Sequence, residues 1–195
     1  CLIITCDKYF ERASHLYRLM SQHDLPFEPK IVISDDAKKP PTNSPHIIRV
    51  KAGDHYEDLP SKVSEALLEV ALNYEANIGV FKIDDDISVE DCDQFSKACK
   101  RIINSNKKYV GFTVGRQPCL DRIWHWNKCS NQIMDRHIYG KRYTGAFNNG
   151  PFYYLSSKAL SAFALDRIRF PDEILGAIFE DVFVASALRH AGITP

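Results

Sequence analysis

The sequence lacks long apolar runs and any excess of one charge. No apolar run approaches the ~20 residues that a membrane-spanning helix needs. Lysine and arginine number 25, as do aspartate and glutamate, so no global basic field favours nucleic acid as a partner. Hydrophobic residues make up 45% of the chain and charged residues 26%, the balance of a domain that buries a core. This composition excludes disordered and membrane-embedded classes.

The sequence also lacks paired cysteines and glycosylation acceptors. Its six cysteines, at positions 1, 6, 92, 99, 119 and 129, contain no Cys-x-x-Cys pair, which disfavours zinc ligation. A disulfide between Cys119 and Cys129 is allowed but not indicated. No Asn-x-Ser/Thr acceptor with a permitted middle residue occurs. We expect a cytoplasmic setting, or the Golgi lumen if an anchor was removed. From its length of 195 residues we expect one domain, residues 1–195. Because the chain opens on Cys1 and not on Met, we expect that domain to be trimmed at one or both ends.

Strand and helix patterns alternate along the chain. Strand patterns cover 2–6, 30–34, 46–50, 78–81 and 109–114, and helix patterns cover 7–22, 58–76, 89–103 and segments that begin at 157 and 180. This order predicts an α/β fold with a mostly parallel sheet covered on both faces. Ligands of such sheets bind beyond the carboxyl ends of the strands. Cys6-Asp7, Asp35-Asp36 and residues 84–86 all fall at such ends.

Three consecutive carboxylates, Asp84, Asp85 and Asp86, follow the apolar run 78–81 and are called the acidic cluster below. The two-residue period of a strand puts Asp84 and Asp86 on one side of the backbone and Asp85 on the other. Like charges this close raise each other's pKa unless a cation lies between them. A magnesium or manganese ion held by one or two carboxylates keeps open positions for phosphate oxygens. The alternative is a solvated turn or a helix N-cap, where aspartate is common.

A second acidic pair, Glu180-Asp181, opens a helix pattern about a hundred residues later. Taken alone, the pair is best interpreted as an N-terminal helix charge. A transferase, however, needs one carboxylate set for metal and phosphates and another to take a proton from the attacking hydroxyl. Between the two sets, Gly150 either lets the backbone approach a ligand closely or forms an ordinary turn.

The segment 116–149 has an irregular pattern without a helix, and aromatic residues are spread among basic ones. These rings either stack on a sugar or a base, or cap the core as part of a β-hairpin. The residues are Trp124, His125, Trp126, His137, Tyr139, Tyr143 and Phe147.

Four segments together resemble the β-1,3-galactosyltransferase and fringe group of glycosyltransferases. Residues 81–87 (FKIDDDI) resemble its K-T-D-D-D-V segment, and residues 56–62 (YEDLPSK) its Y-x-x-L-x-x-K helix start. Residues 150–156 (GPFYYLS) are similar to its G-x-x-Y-x-L-S element. Residues 180–184 (EDVFV) match its E-D-V-x-x-G segment up to the last position, where Ala185 replaces glycine.

The resemblance implies a GT-A fold, Rossmann-like with a mostly parallel sheet, and inverting transfer of a sugar from a nucleotide diphosphate donor, a UDP-sugar, to an acceptor hydroxyl. The expected partners are that nucleotide sugar and a carbohydrate or glycoconjugate acceptor. Asp181 is the expected base, with Glu180 as second choice, and Mn²⁺ or Mg²⁺ is expected at Asp86, then Asp84. Residues expected to contact the nucleotide sugar are Thr5, Asp35, Lys62, Asp84, Asp85 and Gly150. Lys62 or Lys82 would hold phosphate or anchor the acidic cluster, unless they are surface charges.

Three features of the family pattern are only weakly matched in this chain. The R-x-x-W-R-like pattern expected near the first strand is represented only by Glu11-Arg12. His190 is the one late histidine able to serve as the further metal ligand that these enzymes commonly use. Because the paired cysteines of the family are not clearly matched, its Golgi placement does not transfer.

Two other functional classes fit the same acidic clusters. A metal-dependent nucleotidyltransferase or phosphohydrolase would process a nucleotide without a sugar acceptor. A non-catalytic sugar-binding module would keep the aromatic segment and tolerate loss of Asp181. The intact Asp181 argues against the second alternative.

Overall fold

The computed structural model describes residues 1–38, 44–74, 78–115, 125–136 and 145–195. Six strands form one sheet in these parts of the chain. They are β1 (Leu2–Ile4), β2 (Lys30–Ser34), β3 (Ile47–Val50), β4 (Val80–Asp84), β5 (Tyr109–Val114) and β6 (Phe147–Leu155). Their order is β3-β2-β1-β4-β6-β5, with β3, β2, β1 and β4 parallel and β6 antiparallel to both of its neighbours. The predicted mostly parallel sheet is confirmed.

Helices cover both faces of the sheet. They are α1 (Phe10–Ser21), α2 (Leu59–Asn73), α3 (Cys92–Asn104), α4 (Gln132–Arg136), α5 (Ser157–Arg169) and α6 (Glu180–His190). Capping residues and a proline in the local sequence determine where several of these helices begin. The Asp91 carboxylate accepts from the main-chain N–H of Gln94 at 2.9 Å and caps α3. The Ser156 hydroxyl caps α5 in the same way, and Pro60 occupies the first turn of α2.

The core lies on both sides of β1 because successive side chains of a strand alternate between faces. Leu2 and Ile4 pack with α2, α5 and α6, and Ile3 packs with α1 on the opposite side. Phe81 of β4 continues this second layer against Cys99 of α3. Burial on both faces explains why the strands read as continuous apolar runs instead of alternating ones.

The structure corrects the expected elements in three places. The helix expected over 7–22 begins as a 3₁₀ turn, Asp7–Tyr9, before α1. Gly150 does not form a turn but lies inside β6, because the pairing of β6 with β5 continues to Phe147 past a register shift between Gly111 and Thr113. The segment 116–149, expected to lack a helix, contains the short helix α4.

None of the helices in the described residues is long and apolar enough to cross a membrane. The thiols of Cys1, Cys6, Cys92, Cys99 and Cys129 are free. Cys119 lies outside the described residues.

Candidate active site

Two cavities meet at the carboxyl ends of β1 and β4. The larger, about 1160 Å³, is lined by the residues after β1, the first turns of α1 and α2, and the acidic cluster. The smaller, about 350 Å³, is lined by β6 and the start of α6. Residues common to both linings form a shared wall: Tyr56, Leu59, Asp84, Asp86 and Lys128.

The acidic cluster is positioned by the pairing of β4 with β1. Asp84, the last residue of β4, lies opposite Ile4, and the main-chain N–H of Asp85 donates to the Ile4 carbonyl at 3.2 Å. Asp84 and Asp86 line both cavities, whereas Asp85 lines the larger one. Asp86 is exposed and Asp84 is partly exposed. The trio is therefore separated as the sequence predicts, although Asp85 and Asp86 lie in the turn after β4 and not in the strand itself.

Asp85 is held by two side chains at the floor of the larger cavity. Its Oδ2 accepts from the Thr5 hydroxyl at 2.5 Å, and its Oδ1 pairs with the Arg12 guanidinium. Burial raises the pKa of Asp85, and the bonds from Thr5 and Arg12 oppose that rise. The Arg12 guanidinium also lies over the ring of Tyr9, 4.4 Å from its centroid. Arg12, at the position where the family pattern is weak, is thus a cavity residue.

Lys62 is buried beneath the larger cavity. Its Nζ donates to the Thr5 carbonyl at 2.9 Å and to Asp54 Oδ1 at 2.5 Å. Asp54 Oδ2 in turn accepts from the main-chain N–H of Asp7 at 2.6 Å. The interpretation of Lys62 as a surface charge is wrong, because α2 inserts this ammonium between the end of β1 and Asp54.

Lys82 joins the two acidic sites. Its side chain is 0% exposed, and its Nζ donates to Asp84 Oδ1 at 2.5 Å, to Glu180 Oε1 at 2.8 Å and to the Gly150 carbonyl at 2.6 Å. Burial alone would lower the pKa of Lys82, but attraction by Asp84 and Glu180 outweighs it and raises the pKa. Lys82 therefore stays charged, and the surface alternative is wrong for it as well.

Glu180 is 3% exposed at the first position of α6. Its second oxygen, Oε2, accepts from the Tyr153 hydroxyl at 3.1 Å. Burial raises the pKa of Glu180 to about 7, with repulsion from Asp181 and Asp84 adding to the rise and attraction by Lys82 opposing it. Both carboxylate oxygens are thus occupied by protein donors.

Asp181 faces the smaller cavity from the first turn of α6. Its Oδ1 accepts from the main-chain N–H of Val182 at 2.8 Å, and its Oδ2 accepts from that of Gly150 at 3.2 Å. These main-chain donors orient the Asp181 carboxylate in the cavity that Asp84 and Asp86 also line. Gly150 also packs so closely that a Cβ on it would lie 2.7 Å from Glu180 Oε1.

Two predicted site residues do not line either cavity. Asp35 is exposed beyond β2, where its carbonyl accepts from Arg49 at 3.2 Å. His190 ends α6, nine residues after Asp181, and a helix rises about 14 Å over that length. Its Nδ1 lies 2.7 Å from Asp166 Oδ1 instead. The expectation that His190 completes the ligand set at Asp86 is therefore wrong in this structure.

Sequence reasoning assigned no role to Tyr56 or Lys128, which stand between the two cavities. Burial, with repulsion from Asp181 next, raises the pKa of Tyr56 to about 12, so its hydroxyl stays protonated. The Lys128 ammonium lies 5.2 Å from the Tyr56 ring centroid. Tyr56 stands in the Y-x-x-L-x-x-K match, which was the available signal for it. No sequence motif indicated Lys128, because it belongs to a part of the chain distant from the other site residues and reaches them only through tertiary packing.

Glu57 links the segment that carries Lys128, Ser130 and Asn131 to the start of α2 by hydrogen bonds. Its carboxylate accepts from the Ser130 hydroxyl at 2.5 Å, the Ser130 N–H at 3.1 Å and the Asn131 N–H at 2.9 Å. Partial burial would raise the pKa of Glu57, but these hydrogen bonds outweigh it and lower the pKa to about 2. Lys128 is thereby held at the shared wall.

The aromatic residues of 116–149 that the structure describes belong largely to the core. His125 is buried against Phe179, with ring centroids 5.8 Å apart, and Phe147 is buried in β6. Trp126 is half-buried. Trp124, His137, Tyr139 and Tyr143 lie outside the described residues, and their stacking on a ligand stays a prediction.

Comparison with known proteins gives a family and a fold. Residues 40–195 match the family model described as Galactosyltransferase. No curated protein sequence matches the chain. The structure is similar to that of 2-C-methyl-D-erythritol 4-phosphate cytidylyltransferase from Francisella tularensis, with a TM-score of 0.54 and 16% identity, over 100% of this chain and 87% of that one. Such low identity shows the fold alone, and the predicted α/β GT-A architecture is confirmed.

Proposed function

Because the chain belongs to the galactosyltransferase family and is a glycosyltransferase, we propose that it transfers a sugar from a UDP-sugar to an acceptor hydroxyl with inversion at the anomeric carbon. One observation carries this proposal. Asp84 and Asp86 line both a large cavity and a small one, and Asp181 lines the small one with them. A donor and an acceptor would therefore meet at these three carboxylates.

The larger cavity suits the nucleotide diphosphate. It presents the cationic side chains of Lys8, Arg12 and Lys128 beside the exposed Asp86. Ammonium and guanidinium groups bind phosphate oxygens, and carboxylates bind the hard divalent ions that accompany phosphates. Its volume also exceeds the ~300 Å³ lower range of small-molecule sites several-fold, as a nucleotide linked to a sugar requires.

Asp84 and Asp86 fit a divalent ion by chemistry and exposure. Both offer hard oxygen ligands, and Asp84 Oδ1 accepts from the buried ammonium of Lys82. Mn²⁺ or Mg²⁺ bound there would neutralise charge on the departing diphosphate. Asp85, which accepts from Thr5 and pairs with Arg12, would support Asp84 and Asp86. It would face the nucleotide sugar in the larger cavity.

Asp181 is the proposed general base. It would take the proton of the acceptor hydroxyl as that oxygen attacks the anomeric carbon, and the UDP oxygen would leave with the electron pair of the broken bond. A single displacement of this kind inverts the anomeric centre. Glu180 is less suited to the role, because it is more deeply buried than Asp181 and is ion-paired with the buried ammonium of Lys82. Its place is to position Lys82.

The proposal is tested by incubating the chain with a panel of UDP-sugars and carbohydrate acceptors, with Mn²⁺ or with a chelator. We expect a glycosylated acceptor, dependent on the metal and lost in Asp86→Asn. Release of nucleotide that is independent of acceptor would instead support a phosphohydrolase. Stabilisation of the chain by UDP-sugar without any turnover would support a binding module.

A further inference from the structure

A second cluster of ligand-type side chains lies far from the acidic cluster. The ends of α5 and α6 and the 3₁₀ turn Pro171–Ile174 bring together Asp166, Glu173 and His190. His190 Nδ1 lies 2.7 Å from Asp166 Oδ1 and 4.0 Å from Glu173 Oε2. One ligand atom from each residue lies within 4.8 Å of the other two. The proposed transferase reaction uses none of these residues.

Asp166 supplies an independent indication of a ligand. The residue is only 6% exposed, yet its Oδ2 is buried and has no hydrogen-bond partner among the described residues. A buried carboxylate oxygen without a donor is costly, and most such atoms in native proteins are paired. A cation shared with the neighbouring imidazole would satisfy it.

The remaining two ligands are able to adjust around an ion. His190 and Glu173 have side chains 44% and 43% exposed, whereas Asp166 is fixed within α5. Donor atoms about 2.0 to 2.1 Å from a tetrahedral ion lie about 3.3 Å apart. The observed separations of 2.7 and 4.0 Å lie on either side of that value.

We propose that Asp166, Glu173 and His190 bind a divalent ion of the zinc class. Two carboxylates and a neutral imidazole match the ligands of Zn²⁺ and Co²⁺, and their charge of −2 balances the ion. Three protein ligands leave an open position for water, so the ion is exchangeable. The acidic cluster, which offers oxygen ligands alone, favours Mn²⁺ or Mg²⁺. The chain thus carries two metal sites of different selectivity.

The charges packed around the cluster are compatible with this ion. The Arg167 guanidinium donates to the carbonyls of Phe170 and Pro171 at 2.8 Å each, and its positive charge also attracts Asp166 and Glu173. Asp172 adds a further negative charge to the same turn. A simple hydrogen-bonded pair of Asp166 and His190 at the end of α6 would explain neither the buried Oδ2 nor the approach of Glu173.

Occupancy would fix the end of α6 to α5 and to the turn between them. The opposite end of α6 carries Glu180 and Asp181. The ion would therefore stabilise the helix that presents the proposed base, without contacting the substrate. This inference does not depend on the proposed reaction.

Titration of the full chain with Zn²⁺ by calorimetry in excess Mg²⁺ tests the inference. We expect one Zn²⁺ per chain and a raised melting temperature. His190→Ala and Glu173→Gln should each weaken binding at least tenfold. The exposed residues His15 and Glu69 give matched controls, because His15→Ala and Glu69→Gln should bind Zn²⁺ as the parent does.

Glu173→Gln is the decisive variant, because it leaves the pair of Asp166 and His190 intact. Unchanged zinc affinity in this variant, or the absence of a Zn²⁺ site in the parent chain, overturns the inference. Binding of Co²⁺ gives a second readout that is independent of folding stability. A visible absorption band should appear in the parent and in His15→Ala, and should be absent in His190→Ala.

Discussion

The buried ammonium of Lys82 lies 2.8 Å from Glu180, a residue 98 positions later in the chain, and 2.5 Å from Asp84. One cation therefore fixes the distance between the carboxylates proposed for metal binding and the helix that carries the proposed base. Taken alone, the sequence of the second acidic pair is typical of a favourable charge on a helix terminus. Its burial against Lys82 instead makes it part of one charged network.

Lys82→Met should destabilise the protein strongly. Removing the cation leaves Glu180 buried without its charged partner, which costs about 3–5 kcal/mol in such pairs. Urea unfolding of the variant and the parent measures this loss. Lys100, in an exposed pair with Asp24, is the matched control, and Lys100→Met should change the free energy of unfolding by less than about 1 kcal/mol. Equal effects of the two substitutions would show that Lys82 does not hold the network together.

Glu180→Gln should change how stability depends on pH. Burial raises the pKa of Glu180 from 4.5 to about 7, so the folded state retains a proton that the unfolded state releases between these values. The protonated Glu180 thereby adds on the order of 3 kcal/mol to the free energy of unfolding. This stabilisation is fully present below pH 4.5 and is lost as the pH rises through about 7. Unfolding measured from pH 4 to pH 8 should show a shallower decline in the variant. Parallel curves for the two proteins would contradict the assignment.

Gly150→Ala should impair both folding and transfer. Its Cβ would lie 2.7 Å from Glu180 Oε1, in a position that forces β6 or the carboxylate to shift. We expect a loss of about 1–3 kcal/mol in stability and a lowered rate of sugar transfer. Gly115→Ala is the control, because nothing lies within 4 Å of its added Cβ. If both variants behave like the parent, the close packing at Gly150 is not needed.

Glu57→Gln should weaken donor binding without abolishing chemistry. The substitution weakens the hydrogen bonds to Ser130 and Asn131, and so loosens the segment that places Lys128 at the shared wall. We expect KM for the UDP-sugar to rise several-fold while kcat changes less. A fall in kcat at constant KM would place Glu57 in a different role. Glu69→Gln, exposed on α2, serves as its control.

Most strands and helices could be predicted because apolar periodicity is local information. Strands 30–34 and 109–114 match their predicted bounds, and the acidic cluster lies at the sheet edge where the pattern placed it. The burial of Lys62 and Lys82 and their ion pairs could not be predicted from local periodicity. Lys62 and Lys82 read as surface residues because their partners, such as Asp54 and Glu180, are brought near only by tertiary packing.

The prediction that His190 is a metal ligand beside Asp86 was wrong for a related reason. The family resemblance implied a late histidine as a further metal ligand, but the continuous helix α6 carries His190 to the end opposite Asp181. Asp35 ends a strand as expected, yet β2 lies one strand away from β4, on the far side of β1. A strand end alone does not specify which cavity its side chain reaches.

Transfer by Asp181→Asn tests the central claim most directly. With a UDP-sugar that the parent chain uses, Mn²⁺ and acceptor, we expect the rate of transfer to fall about 10²–10⁴-fold, the usual contribution of a general base. The affinity for the UDP-sugar should stay close to that of the parent, and the exposed control Asp93→Asn should retain full activity. Full transfer by Asp181→Asn would contradict the account.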